Sequence, residues 1–359
     1  MLTATTKTVS PSRSRVARLI PFGAAVLFVF TGALAQTQVP DEMIRKNEIT
    51  PDDRRFLKAL IDANKAGLTG GPAEIKKSRD VLVAPLEKEG VSVPFRTVYA
   101  SELIGSAELA KLAASDSDIV AANALRIAGQ SATGSSLGLV LKSLSDPRPQ
   151  VRYAATVAAR AAFTAAKNNA SALTPDDLST AMRALGDAAV ADAASQPVEG
   201  ALQALVAARD VPGNRSIAIQ RLTDAAGKRA LKLVKAGEPA DLAPFLRLTA
   251  PLQTDILDTD KILPEARKSI LVFSAQLLML VDAQWKDGDP DPAAVQTAKA
   301  ANSLLSFAAD PGQRYTGPFA DLAAPGKKQQ FRDALQKLVG PGGTLLSEPH
   351  SIPADKFKP

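Results

Sequence analysis

The chain has no cysteine, one histidine and one tryptophan among 359 residues, and aromatic residues make up only 4% of it. Without cysteine there can be no disulfide, no thiolate nucleophile and no thiolate ligand for a metal, and lipid attachment through a cysteine is excluded. A single histidine rules out a multi-histidine zinc site and leaves serine or cysteine triads without support. That residue, His350, lies between Pro349 and Ser351 in a proline-containing final stretch. Such a stretch reads as mobile and unsuited to hold a catalytic base. No catalytic, cofactor-binding or metal-ligating residue is assigned, and no cofactor is expected.

A large excess of one charge is also missing once the first residues are set apart. Lys7, Arg13, Arg15 and Arg18 precede a short apolar run, Leu19 to Phe30, and Ala33-Leu34-Ala35 then offers small residues for a signal peptidase. This three-part pattern predicts a secretory signal over residues 1–35, with cleavage after Ala35 and a periplasmic or extracellular destination. The rival reading is a retained membrane anchor, but a spanning helix needs about 20 apolar residues and this run is shorter, with Pro21 and Gly23 inside it. No later segment is apolar enough to span a bilayer, so none is expected after cleavage. The whole chain has 43 Lys and Arg against 37 Asp and Glu; without the four leader cations the balance is 39 against 37. A nearly neutral surface gives little attraction for phosphate backbones, so nucleic acid is not an expected partner.

What the chain does have is alanine, the best intrinsic helix former, and proline placed as punctuation. Thr50-Pro51-Asp52-Asp53 combines a capping hydroxyl, a first-position proline and first-turn carboxylates, and Phe56, Leu57, Leu60 and Ile61 follow at helical spacing. The same opening recurs at Thr174-Pro175-Asp176-Asp177, and related starts appear at Asp146-Pro147, Gln196-Pro197, Leu263-Pro264 and Asp291-Pro292. Short turns joining helices fit this punctuation. Val91 to Val98 alternates and could be extended, though Pro94 limits it to an edge.

Between residues 101 and 165 the chain repeats itself. Leu109, Leu112 and Ser115-Asp116 lead into Val120, Ala121, Ala124 and Leu125; Leu141, Leu144 and Ser145-Asp146 then lead into Val151, Arg152, Ala155 and Ala158. A period of about thirty residues is that of stacked helical pairs. Leu141-x-x-Leu144-x-Asp146 followed by Val151-Arg152-x-x-Ala155 resembles a HEAT repeat, of the armadillo-type helical repeats. In the first unit Ala121 stands where the arginine belongs. The resemblance implies that Asp146 caps the second helix, that Arg152 contacts the turn of a neighbouring repeat, and that the array offers a concave surface to proteins or peptides.

These features together predict an all-α fold: HEAT-like α-α superhelical repeats followed by a helical bundle. The expected divisions are a signal peptide at 1–35, a mobile lead-in at 36–49, helical repeats at 50–245, a C-terminal bundle at 246–340 and a disordered tail at 341–359. The helix from Pro264 to Trp285 is apolar nearly all round and should lie at the bundle's centre. The loop from Asp310 to Lys327 carries Arg314, Tyr315 and Phe319 as candidate partner contacts, although its aromatics could instead fold back over the bundle. Asp287, Asp289 and Asp291 open like a calcium loop, but Pro292 and Ala298 stand where its glycine and glutamate belong, so Asp291 reads as a helix cap. Asp255, Asp258 and Asp260 would be the carboxylates available to a hydrolase. The functional expectation is an exported, non-catalytic scaffold that binds a protein or peptide in the cell envelope. The alternatives are a carboxylate-pair envelope hydrolase and an accessory subunit of an envelope complex.

Overall fold

The computed structural model of the chain describes residues 38–168, 172–237, 239–258, 262–286, 288–309 and 317–359. The proposed leader, Asp260, Asp287, Arg314 and Tyr315 lie outside the described residues. Sixteen α-helices and no strand occur among those described. The first eight are α1 (Asp41–Ile44), α2 (Pro51–Lys65), α3 (Pro72–Glu87), α4 (Val93–Ser106), α5 (Leu109–Ala113), α6 (Asp118–Ser131), α7 (Gly134–Lys142) and α8 (Pro149–Asn168). Then come α9 (Pro175–Ala191), α10 (Ser195–Ala208), α11 (Arg215–Ala236), α12 (Ala243–Leu257), α13 (Pro264–Gln284), α14 (Pro292–Ala308), α15 (Phe319–Leu322) and α16 (Lys328–Val339).

At Thr50, Thr174 and Asp291 the caps are those the punctuation calls for, whereas α8 begins at Pro149 rather than Pro147, and α10 and α13 start without a side-chain cap. Thr50 accepts from the Asp53 N–H while Asp53 accepts from the Thr50 N–H, and Thr174 and Asp177 repeat this exchange, which satisfies two orphan donors at each helix start. Asp291 accepts from the Ala293 N–H at 2.7 Å with Pro292 in the first turn of α14, so it serves as the cap. Residues 93–98 are helical rather than extended. Ser92 caps α4 by accepting from the Phe95 N–H, and Pro94 falls in the first turn, where a missing N–H costs nothing.

From α6 onward the helices form two layers. In one, α6, α8, α10, α12 and α14 pack successively; in the other, α7, α9, α11, α13 and α16 do the same, and α6 with α7, α7 with α8, α9 with α10, α10 with α11 and α13 with α14 pack across the layers. The pairing seen at residues 101–165 thus continues past residue 165 as packing, without its sequence signature. Alanine explains the fit: Ala155, Ala158, Ala159 and Ala162 of α8 are all at most 1% exposed, and small side chains let helix axes approach. The tightest approach is at Gly129 of α6, where an added Cβ would lie 2.4 Å from the Ala158 carbonyl oxygen. Gly129→Ala should therefore destabilise by about 1–3 kcal/mol despite its better helix propensity. Urea unfolding checks this, and an unchanged midpoint would contradict so close a contact.

Three expected boundaries need correction. Residue 245 lies inside α12, and a continuous apolar core runs from Val39 to Phe357, so repeats and bundle are not separate bodies. The lead-in is packed: Val39, Met43 and Ile44 are buried, and the Ser92 N–H donates to the Ile44 carbonyl at 3.0 Å. Residues 341–359 are likewise ordered against the core, with Leu345, Ile352 and Phe357 buried. Polar and proline-rich composition hid the few apolar residues that dock each segment. The apolar α13 does lie at the centre of its surroundings, between α11, α14 and α16.

Candidate functional site

At one edge of the layers, arginines tie successive turns together. Arg148 holds both carboxylate oxygens of Asp146 at 2.9 and 3.0 Å and reaches back to the Ser115 carbonyl at 2.7 Å and to Asp118 at 3.2 Å. Arg152 donates to the Asp146 and Pro147 carbonyls, each at 3.0 Å, and forms a two-point pair with Asp192 at 2.6 and 2.9 Å. Arg229 of α11 then donates to the Asp192 carbonyl at 2.7 Å. The planar fork of arginine suits such bridges because its donors are fixed relative to one another. Val151, next to Arg152, is fully buried and fixes the start of α8.

Asp146 does not cap α8 as the resemblance implies: it accepts from the Arg148 N–H at 2.9 Å and so braces the turn before the helix. Pro147 sits in the turn, and α8 begins at Pro149. Arg148's hydrogen bonds hold the Asp146 carboxyl below the usual range against the opposing effect of burial. At Asp192 burial is the larger single influence and pushes the carboxyl up; the bonds from Arg152 and the Ala194 N–H more than offset it, and the net shift is downward. Both groups are therefore carboxylates at neutral pH, held by cations, a poor arrangement for proton transfer.

Beside these turns an open cleft of about 650 Å³ lies between the ends of α7 and α9. Leu141, Leu144, Ala184 and Ala188 form apolar walls, Arg152 and Asp192 lie at its rim, and Asp187 stands exposed on α9 within it. Apolar walls with a few fixed polar groups are the usual make-up of a binding surface.

The opposite edge has its own charge set. Asp255 is 2% exposed and lies 2.9 Å from Nε of Arg209, while Arg215 pairs with Asp258 at 2.9 Å. Burial raises the Asp255 pKa, and the two arginines oppose that rise. Neither Asp255 nor Asp258 lines the cleft above or the two cavities of about 410 Å³ described for this chain. The buried Asp255 carboxylate lies between Arg209 and Arg215, the latter at 3.8 Å, and so joins α10, α11 and α12 by charge.

Phe319 is corrected as a partner contact. It is fully buried, edge-on to Phe331 with ring centroids 5.2 Å apart, and Phe331 in turn meets Trp285 at 5.8 Å. The aromatic folds back over the bundle because α13 and α16 leave apolar surface there. Among the described residues no group of three or more His, Asp or Glu is placed to hold a metal ion, and no helix is long and apolar enough to cross a membrane.

No family model, curated protein or solved structure matches the chain. The HEAT likeness therefore remains a resemblance of motif and packing. The residues that the motif did not single out are Arg148, Asp192 and Arg229. A signal existed for one of them: Asp192 stands three residues before the first residue of α10, as Asp146 does before α8.

Proposed function

We propose that this protein is an exported, non-catalytic scaffold of the cell envelope that binds a protein or peptide along its helical layers. The observation that carries the reading is the open cleft between α7 and α9, with apolar walls and the exposed carboxylate of Asp187. Support comes also from the carboxylates at its rim, which are committed to arginine pairs rather than poised for chemistry. Export rests on the basic start, apolar run and Ala33-Leu34-Ala35. It is tested by fractionation and N-terminal sequencing: mature protein in the envelope should begin at Gln36, and cytoplasmic protein keeping its first residues removes that part of the reading.

Binding is tested by a photo-crosslinking residue at Ala191, in the cleft, compared with one at the exposed Thr164 on the far face of α8. One discrete adduct is expected from Ala191 and none from Thr164. Asp187→Lys should reduce that adduct at least about tenfold, since a reversed charge in a contact typically costs 1.4 kcal/mol or more. Equal adducts from both positions, or indifference to Asp187→Lys, would sink the reading.

A further inference from the structure

Residues 344–359 lie as a strap over α13. The strap is joined to α16 by bonds from the Thr344 and Leu345 N–H groups to the Lys337 and Leu338 carbonyls, at 3.0 and 3.1 Å. Gly340-Pro341-Gly342-Gly343 precedes it, and Gly342 has a φ of +72°, a conformation that glycine adopts without strain. From there the strap runs to a short 3-10 turn, Ala354–Phe357, that packs on α13. Its buried side chains are Leu345, Ile352 and Phe357.

Beneath it is a groove whose floor is one face of each of two neighbouring helices. On α13 the face comprises Glu265, Lys268, Ser269, Val272 and Gln276; on α11 it includes Asp224, Lys228 and Leu231, each set at helical spacing. The Thr223 hydroxyl donates to Ser269 Oγ at 2.9 Å and joins the two helices at the floor. The strap does not fill the groove: a cavity of about 410 Å³ remains among α11, α13, Ile352, Pro353 and Lys356.

Gln276 shows what this groove recognises. Its side chain is 4% exposed, yet Nε2 donates to a strap backbone oxygen, the Lys356 carbonyl, at 2.6 Å. Room for that amide is made by Gly227 of α11, where an added Cβ would lie 1.7 Å from Gln276 Oε1. Lys268 Nζ adds a bond to the Ser351 carbonyl at 3.3 Å. Both bonds are to main-chain oxygens, so they would serve any extended segment that carries apolar side chains in register. Because the acceptor is a main-chain oxygen, the corresponding carbonyl of another extended segment in the same place would satisfy the amide equally well.

We propose that the α11–α13 groove is a docking site for an extended partner peptide with the strap's chemistry, an aliphatic residue and an aromatic one five positions later, as in Ile352 and Phe357, and that the strap is its intramolecular competitor. It rests on the binding reading above and deepens it by naming a second surface and the class of peptide it takes. A partner reaches the groove only in the fraction of molecules whose strap is open, so weakening the strap raises apparent affinity by the factor that it raises that fraction.

The full chain is tested with a fluorescein-labelled synthetic peptide of residues 343–359, followed by anisotropy. Because the native chain has no cysteine, Lys268→Cys and Ser351→Cys can be joined by a short bis-maleimide with no competing thiol. The same double variant with each cysteine capped singly is the open control. Binding should fall at least tenfold in the linked form relative to the capped one, and Phe357→Ala in the otherwise native chain should bind about tenfold tighter than the native chain. Equal binding to linked and capped forms overturns the proposal, as does absence of binding to a Phe357→Ala chain that keeps its native circular dichroism. If that variant does not fold, the linked and capped comparison decides alone. A concentration-dependent dimer without peptide would assign the groove to a second copy's strap and overturn the partner assignment. The titration needs no cellular partner: peptide binding without a captured partner removes only the scaffold reading, and a captured partner without peptide binding removes only this proposal.

Discussion

Replacing Arg96 with alanine should cost the fold about 3–5 kcal/mol, from the cavity it leaves and the carbonyls it strips of a donor, a large share of the roughly 5–15 kcal/mol that holds a domain together. Arg96 is fully buried within α4 and pairs with no carboxylate among the described residues. Its acceptors are main-chain oxygens at two helix ends: Leu86 of α3 at 3.2 Å, and Gln130 and Ser131 of α6 at 2.7 and 3.3 Å. The last carbonyls of a helix lack intrahelical donors and carry the negative end of its dipole, so two helix ends together accommodate one buried cation. Burial lowers the guanidinium pKa to about 10, which still leaves it charged at neutral pH. The sign follows from the depressed value: burying the charge is a standing cost below it, relieved only in more alkaline solution.

Two further variants separate charge from satisfaction of the carbonyls. Arg96→Met removes the buried charge and keeps volume but leaves three carbonyls without donors, so about 2–3 kcal/mol should still be lost. Arg96→Lys keeps the charge on a compact head that cannot span the carbonyls of both helices. Urea denaturation of the three variants near pH 7 provides the test. A neutral Arg96→Met would show that the helix ends need no donor there, and the account of this residue would be wrong.

How much of this was legible beforehand varies with the physical signal. Helix starts were readable because a cap is local: Thr50, Thr174 and Asp291 each act on N–H groups two or three residues away. The layered packing after residue 165 was not. It is made by alanine faces such as Ala201, Ala204 and Ala208 in α10, whose spacing gives little contrast in an alanine-rich chain. Arg96 carried a weak signal, standing between Phe95 and Tyr99, both fully buried. A lone arginine among core residues marks a buried donor, but only tertiary structure supplies the distant carbonyls. The groove was hidden in the same way. The apolar circumference of α13 told that something covers it, while the cover is a stretch whose composition reads as disordered.

Loss of Arg152 should be the second large effect, and its dependence on pH distinguishes it from simple loss of packing. In Arg152→Ala, the Asp192 carboxylate, whose side chain is 5% exposed, keeps its bond from the Ala194 N–H but loses both guanidinium bonds. The Asp146 and Pro147 carbonyls lose a donor as well. Because Arg152 itself retains 18% exposure, the expected loss near pH 7 is about 2–4 kcal/mol, somewhat below that for breaking a fully buried pair. In the native chain the folded Asp192 pKa is depressed, so its contribution is present above the unfolded value and is lost as pH falls through the folded one. Without Arg152, burial is opposed more weakly, by Arg229 and the Ala194 N–H, so that carboxyl rises from its native value and acid then relieves the variant by protonating it. The difference between native and variant stability should therefore be widest near neutrality and narrow below about pH 4. Arg152→Ala with Asp192→Ala should recover part of the loss near pH 7, since the buried carboxylate is no longer left without its two guanidinium bonds, but not all of it, because Arg229 then loses the charge of Asp192. Urea midpoints at neutral and acid pH read both effects. An equal gap at the two pH values, together with strictly additive double-variant losses, would show that the turns are held by packing rather than by this bridge.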